Sequence, residues 1–231
     1  MQLRILTTQT EGREFADRLV RARAGKGLGF SETPQSVLGE IHLNYGEVCG
    51  LYNEDGPEPD EMLAGFVIHD LATFPQSYPR PDLTHLPAEG VYECGELWAL
   101  APGAARLARH AGFILAGLRK AKAILVYPLY KPRDLSGSYK TFARAGQPIQ
   151  WPYLKTLDGD EVWVQAMVLE GLALEMTVNI ATAVSLESFD GRTLKFRNPF
   201  PVVPRIRRRI PARAPRVQES PRSRAVVQFR R

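Results

Sequence analysis

The most constraining feature of the sequence is the stretch of residues 90–130, which has the pattern of a strand, a loop, a helix and a second strand. Residues 91–99 are predicted to form the first strand, and residues 100–104 a loop of small residues and proline. The apolar run at residues 123–127 predicts the second strand. Between them, apolar side chains recur at the spacing of one helix face, at Leu107, Ala111, Ile114 and Leu118. This unit predicts an α/β protein.

The loop at residues 100–104 leads directly into the predicted helix, and two interpretations of it are open. The first N–H groups of a helix lack intrahelical partners and lie at the positive end of the helix dipole, so they can hold a phosphate. Alternatively, the loop is an ordinary tight crossover that binds no ligand. Gly103 is its only glycine, so glycine content does not decide between the two.

Charge is divided unevenly along the chain. Residues 1–191 contain 17 Lys and Arg against 24 Asp and Glu, a net charge of −7. Residues 192–231 contain 13 Lys and Arg against one acid, a net charge of +12, together with six prolines. Such a segment buries too little apolar surface to offset its chain entropy. We therefore predict a folded domain over residues 1–190 and a basic tail over residues 191–231 that is disordered alone or ordered on a partner.

Several classes of protein are disfavoured by composition. Cys49 and Cys94 are too few and too far apart for a disulfide framework or a metal site, and the four histidines have no ligand spacing. No apolar run approaches the roughly 20 residues of a membrane span, and the N-terminus has no basic-then-apolar leader. The expectation is a cytoplasmic protein without a transmembrane segment or a bound metal.

Outside the central unit, the sequence predicts strands, helices and two hairpins. The predicted helices cover residues 11–24, capped by Thr10, residues 34–43 and residues 132–146. The predicted strands cover residues 3–7, 47–52, 62–68, 151–157 and 161–169, the last two joined by the hairpin turn Asp158-Gly159-Asp160. Residues 170–186 fit either a strand or a helix, and their β-branched residues favour extended structure. Residues 72–89 are predicted to form a long loop, which is a candidate lid on the substrate side.

This order of elements resembles that of the GCN5-related N-acetyltransferase (GNAT) superfamily over roughly residues 1–170. The resemblance implies a mixed, mainly antiparallel central sheet flanked by helices, here followed by the basic tail. It also implies acetyl-CoA or a longer acyl-CoA as co-substrate and an amine as acceptor, either a small molecule or a protein.

The resemblance places the coenzyme A pyrophosphate at the loop after the fourth strand. In the family this loop usually reads Q/R-x-x-G-x-G/A, and here its second half lacks the expected glycines. The residues at the matching positions are Leu100, Ala101, Gly103, Ala104 and Ala105, with Arg106 and Arg109 available for charge-assisted contacts.

The resemblance also identifies candidate catalytic residues. The position of the tyrosine that protonates the departing thiolate in many family members holds Phe142, which cannot donate a proton. Tyr139, one helical turn earlier, either substitutes for it or is a packing residue. A carboxylate on the central strand would accept the proton of the amine. Glu93 and Glu96 both lie there, on opposite faces by the period of two. The resemblance to relatives that synthesise acyl-homoserine lactones and N-acyl amino acids favours Glu93. The alternative for either glutamate is a solvated strand residue without a catalytic role.

Two functions remain open from the sequence. One is an acyl-CoA-dependent N-acyltransferase. The other is a catalytically inactive GNAT-like module whose tail, residues 192–231, contacts nucleic acid or an anionic protein surface. The opposite charges of body and tail would also allow docking of the tail on its own domain or self-association as a homo-oligomer.

Overall fold

The computed structural model describes residues 1–30, 46–54, 61–73, 82–87, 89–129 and 144–197. Within these ranges the chain forms ten strands and three helices. In chain order they are β1 (Gln2–Leu6), α1 (Gln9–Ala24), β2 (Leu28–Phe30), β3 (Gly46–Tyr52), β4 (Met62–Asp70), β5 (Val91–Ala99), α2 (Ala104–Leu118), β6 (Ala123–Val126), β7 (Arg144–Thr156), β8 (Glu161–Glu170), α3 (Gly171–Ser185), β9 (Leu186–Phe189) and β10 (Thr193–Phe196).

The ten strands form one sheet in the order β2-β7-β8-β6-β5-β4-β3-β1-β10-β9. Neighbouring strands in this described sheet are antiparallel, except that β5 and β6 are parallel. The exception follows from the connection, because a parallel pair needs a crossover and α2 supplies it. The predicted fold class, a mainly antiparallel mixed sheet flanked by helices, is confirmed.

Helices cover both faces of the sheet. A methyl group added to Gly65 on β4 would lie 2.6 Å from the Phe15 ring of α1, whereas the next residue, Phe66, lies against Gly112 of α2. Successive strand residues point to opposite faces, so α1 and α2 lie on opposite sides. α3 packs on α2, where a methyl on Gly117 would overlap the side chain of Val178. No helix among the described residues has the length and hydrophobicity that a membrane crossing requires.

The start of α1 corrects the predicted cap. The helix begins at Gln9 and its cap is Thr8, whose hydroxyl oxygen accepts a hydrogen bond from the Glu11 N–H at 3.3 Å. The Glu11 carboxylate in return accepts from the Thr8 N–H at 3.0 Å. This reciprocal arrangement satisfies N–H groups that the helix leaves open. Thr10, the predicted cap, lies inside the first turn.

Residues 170–186 correct a second prediction, since most of them form α3 and not extended structure. Leu174, Ala181 and Ser185 are its buried residues, and their spacings of seven and four match one helix face. That face packs on α2, so tertiary burial overrides the β-propensity of the β-branched residues.

The remaining predictions divide into three groups. The strands near residues 3–7 and 123–127 and the two hairpins, β3–β4 and β7–β8, are confirmed. Of the four residues predicted to form the apolar face of α2, three are buried, but Leu118, at the end of the helix, is 44% exposed. The predicted helix 132–146 is wrong at its end, because residues 144–146 belong to β7. Its remainder, with Tyr139 and Phe142, and the predicted helix 34–43 lie outside the described residues.

The sheet extends past residue 190. β9 and β10 form an antiparallel hairpin, and β10 pairs with β1 from Gln2↔Lys195 to Arg4↔Thr193. Leu194 and Phe196 are buried in the core on the α2 side. The predicted boundary between domain and tail therefore falls in the turn of a hairpin whose second strand belongs to the sheet. Residues 198–231 lie outside the described residues.

Candidate functional site

The central parallel strands separate after a short paired segment. β5 and β6 pair from Val91↔Ala123 to Glu93↔Leu125. Beyond this point β5 continues along β4 as far as Ala99, while β6 continues along β8. In the part of the chain that the structure describes, no strand pairs with the β6-facing edge of β5 from residue 94 onward.

A β-bulge on β5 accompanies this splay. Gly65 pairs with Trp98 and Val67 with Gly95, so two residues of β5, Glu96 and Leu97, stand opposite a single residue of β4. Glu96 has a φ of 50°, in the left-handed region. Bulges bend their strand and increase its twist, and this bulge lies just beyond the last residue of β5 that pairs with β6.

Glu93 is the last residue of β5 that pairs with β6, and it is buried with 4% of its surface exposed. Directly across on β4 lies His69, which is 2% exposed. On β3 the residue opposite His69 is Gly46, where an added methyl would lie 2.5 Å from the imidazole Nδ1. The absent side chain of Gly46 therefore makes room for the His69 ring. A carboxylate and an imidazole are thus side by side at the vertex of the splay.

Glu96 has a different environment, and the prediction that the two glutamates face opposite sides of the sheet is wrong. The Glu96 carboxylate lies 3.3 Å from the guanidinium of Arg23 on α1. Glu93 is also on the α1 side. A methyl group added to Gly95 would lie 3.6 Å from the Glu93 Oε1 atom, so the two residues share a face. Trp98 lies further along that face and packs edge-on against Phe15 of α1. The bulge breaks the period of two between Glu93 and Glu96.

The other end of the open edge of β5 meets the start of α2. Gly103 precedes the helix with a φ of 83°, and no side chain caps the first turn, which contains no acid. α1 has the opposite arrangement, since its own Glu11 carboxylate fills its N-terminus. The predicted phosphate-binding residues divide by exposure: Ala101 and Ala104 are buried and Leu100 packs on the α1 side, whereas Gly103, Ala105, Arg106 and Arg109 are exposed or half-buried.

A histidine that the sequence did not single out lies further along α2. The Nδ1 atom of His110 is 2.7 Å from the hydroxyl oxygen of Ser185, at the end of α3. Burial lowers the pKa of His110, and Arg109 and Arg106 lower it further. His69 was also missed, because its neighbourhood with Glu93 depends on strand register, which no local pattern reveals.

The two cysteines are free thiols in the core. Burial raises the pKa of Cys94 to about 12, with a further contribution from Glu93. Burial, Glu47 and Cys94 raise the pKa of Cys49 well above its ordinary value, against a lowering by Arg119. Both thiols are therefore protonated at neutral pH and poor nucleophiles. Among the described residues no group of three or more His, Cys, Asp or Glu side chains could hold a metal ion.

Comparison with known proteins finds similarity in structure. No protein-family model matches the sequence, and none of the curated proteins matches it. FeeM, an N-acyl amino acid synthase from uncultured soil microbes, is 15% identical, with 79% of this chain and 98% of FeeM covered and a TM-score of 0.49. TofI, solved in a ternary complex with an inhibitor and MTA, is 14% identical, with 76% and 97% covered and a TM-score of 0.45. A Desulfovibrio desulfuricans protein assigned to the GNAT family of acetyltransferases is 14% identical, with 74% and 99% covered and a TM-score of 0.44. All three similarities are at low sequence identity and at a TM-score below 0.5.

Proposed function

We propose that the chain is an acyltransferase that uses an acyl-CoA to acylate the amino group of a small molecule or protein. The observation that carries the proposal is the geometry of β5. One end of its open edge has the buried pair Glu93 and His69, and the other end leads into the uncapped N-terminus of α2. From Glu93 to Ala99 the strand spans about 20 Å, which suits a long co-substrate that has its reactive group at one end and phosphates at the other.

Two parts of the structure suit coenzyme A, the N-terminus of α2 and the edge of β5. The N-terminus of α2 would hold the pyrophosphate, since no side-chain cap or acid occupies it. Of its first-turn N–H groups, those of Ala104 and Arg106 also donate to the carbonyl oxygens of Ala101 and Gly103, at 3.3 and 3.1 Å. Arg106 and Arg109 would add charge-assisted contacts. The open backbone edge of β5 would bind the amides of the pantetheine arm as a neighbouring strand would. When bound, the co-substrate supplies an acyl thioester with an electrophilic carbonyl carbon.

Glu93 is the proposed general base. An amine attacks a carbonyl only as the free base, so a carboxylate at the vertex of the splay would take the proton of the amine, directly or through a water molecule. His69 lies beside Glu93 and would orient it or pass the proton on. Glu96, the second predicted candidate, is held by Arg23 and has a structural role in this proposal. Tyr139, which is either the proton donor to the leaving thiolate or a packing residue, lies outside the described residues.

Calorimetric titration of acetyl-CoA and of a long-chain acyl-CoA tests the co-substrate. The chain should end after Arg197, because the tail would bind any polyphosphate through its charge. Ala105→Glu is the informative variant. An acid in the first turn favours the helix dipole and so preserves the fold, but it repels phosphate. We expect binding to weaken about tenfold or more, about 1.4 kcal/mol.

The matched control is Ala183→Glu, which makes the same change at an exposed site on α3. Binding to this control should equal that of the unchanged chain. If neither acyl-CoA binds at millimolar concentration, the proposed co-substrate is wrong.

The charge division of the chain favours a second candidate, an inactive module that contacts an anionic partner through its basic tail. The titration separates the two candidates, since only the acyltransferase requires acyl-CoA binding by the chain without its tail.

A further inference from the structure

One face of α3 is apolar and exposed. Its side chains recur every fourth residue, which places them in one line along the helix. We call this line the α3 stripe; it consists of Leu172, Met176, Ile180 and Val184, which are 71%, 54%, 57% and 43% exposed. The opposite face of α3 packs on α2, so only one side of the helix is covered by the described residues. Large apolar side chains grouped in this way mark a surface that binds something.

We propose that residues 198–206 of the same chain cover the α3 stripe. A hydrogen bond places the end of the described chain beside α3. The described part of the chain finishes at Arg197, whose backbone N–H donates a hydrogen bond to the Ser185 carbonyl oxygen at 3.0 Å. Ser185 is the last residue of α3 and follows Val184, the last residue of the stripe. Residue 198 therefore starts beside one end of the stripe.

The length and composition of this segment fit the stripe. From Leu172 to Val184 the helix rises about 18 Å, and an extended chain covers that distance with about six residues. Residues 199–206 carry prolines, which favour an extended backbone and lack an N–H that would need a partner. Between the prolines stand apolar side chains that can lie on the stripe: Phe200, Val202, Val203 and Ile206.

Charge favours the same occupant. Glu175 is exposed on α3 next to Met176, and residues 205–209 include four arginines. A segment that runs from Val184 towards Leu172 would bring this basic cluster to the end of the helix where Glu175 lies. The pairing would be exposed and contributes modestly to stability, but it sets the direction of the segment.

A second copy of the chain is a less suitable occupant. Stable protein–protein interfaces bury about 800 Å² on each partner, more than four side chains on one helix provide. A segment of the same chain that starts beside the stripe avoids the entropy cost of association, because its effective concentration is already high.

Oxidation of Met176 by hydrogen peroxide, followed in the full chain by peptide mass spectrometry, tests the proposal. Met176 lies on the stripe, whereas Met1, Met62 and Met167 are buried and act as slow internal references. If residues 198–206 cover the stripe, Met176 should oxidise about tenfold more slowly than free methionine, which corresponds to about 1.4 kcal/mol of docking. Val202→Ser with Val203→Ser should raise the rate towards that of free methionine.

The tail offers a matched control in its second valine pair. Val226→Ser with Val227→Ser makes the same change about 24 residues further on and should leave Met176 protected. Oxidation of Met176 at the rate of free methionine in the unchanged chain would overturn the proposal. Protection that is lost on dilution and insensitive to Val202→Ser with Val203→Ser would assign the stripe to a second copy. If only the change at Val226 and Val227 raised the oxidation rate of Met176, a later part of the tail would cover the stripe and the proposal for residues 198–206 would be wrong.

Discussion

His110 lies half-buried between α2 and α3, with its Nδ1 atom 2.7 Å from the Ser185 hydroxyl oxygen. Burial, and then Arg109 and Arg106, lower the pKa of His110, so the folded protein favours the neutral imidazole. The unfolded chain then binds more protons below about pH 6.5, the ordinary pKa of histidine. The contribution of neutral His110 to the free energy of unfolding is complete above that pH. It is lost as the pH falls towards the lowered pKa of His110 in the folded protein.

We predict that His110→Gln makes the free energy of unfolding less dependent on pH below about pH 6.5. Urea unfolding at a series of pH values measures this. The control is His85→Gln, which removes an exposed histidine paired with Glu170 and should leave the dependence caused by His110 in place. An unchanged slope in His110→Gln would show that another group is responsible.

At the scale of a single element, the start of α1 gives a direct comparison between two threonines. Thr8→Ala removes the oxygen that accepts from the Glu11 N–H and should lower the free energy of unfolding by about 1 kcal/mol. Thr10→Ala replaces a residue inside the helix by a better helix former and should be neutral or slightly stabilising. Thermal unfolding of the two variants measures the difference. A greater loss for Thr10→Ala would contradict the capping assigned to Thr8.

At the scale of the whole molecule, the C-terminal hairpin completes the sheet. A chain that ends at Asp190 loses β10 and with it the buried Leu194 and Phe196. Each of these side chains stabilises the fold by about 1.5–3 kcal/mol through burial, so this truncation should lower the free energy of unfolding by roughly 3–6 kcal/mol. A chain that ends after Arg197 keeps β10 and should lose only the docking of residues 198–206, about 1.4 kcal/mol. Urea midpoints of the two truncated chains test this, and equal midpoints would show that β10 is dispensable.

The sequence by itself determined those parts of the molecule whose signals are local. These signals depend only on residues that are close together in the sequence. They include the apolar periodicity of α2, the turn Asp158-Gly159-Asp160 and the apolar runs of the strands on either side of α2. A local signal also indicated the α2 N-terminus as a candidate phosphate site, whereas the preference for Glu93 as a candidate base came from the family resemblance.

Only the tertiary structure decided the features that depend on pairing between distant segments. The neighbourhood of His69 and Glu93 is a matter of register, and a slip of one residue would turn either side chain to the other face. The bulge at Glu96 reverses the face that the period of two assigned to it, and packing on α2 makes a helix of residues that favour strands. The physical reason is the same in each case: the free energy comes from contacts with remote parts of the chain, which local propensities of less than about 1 kcal/mol per residue cannot outweigh.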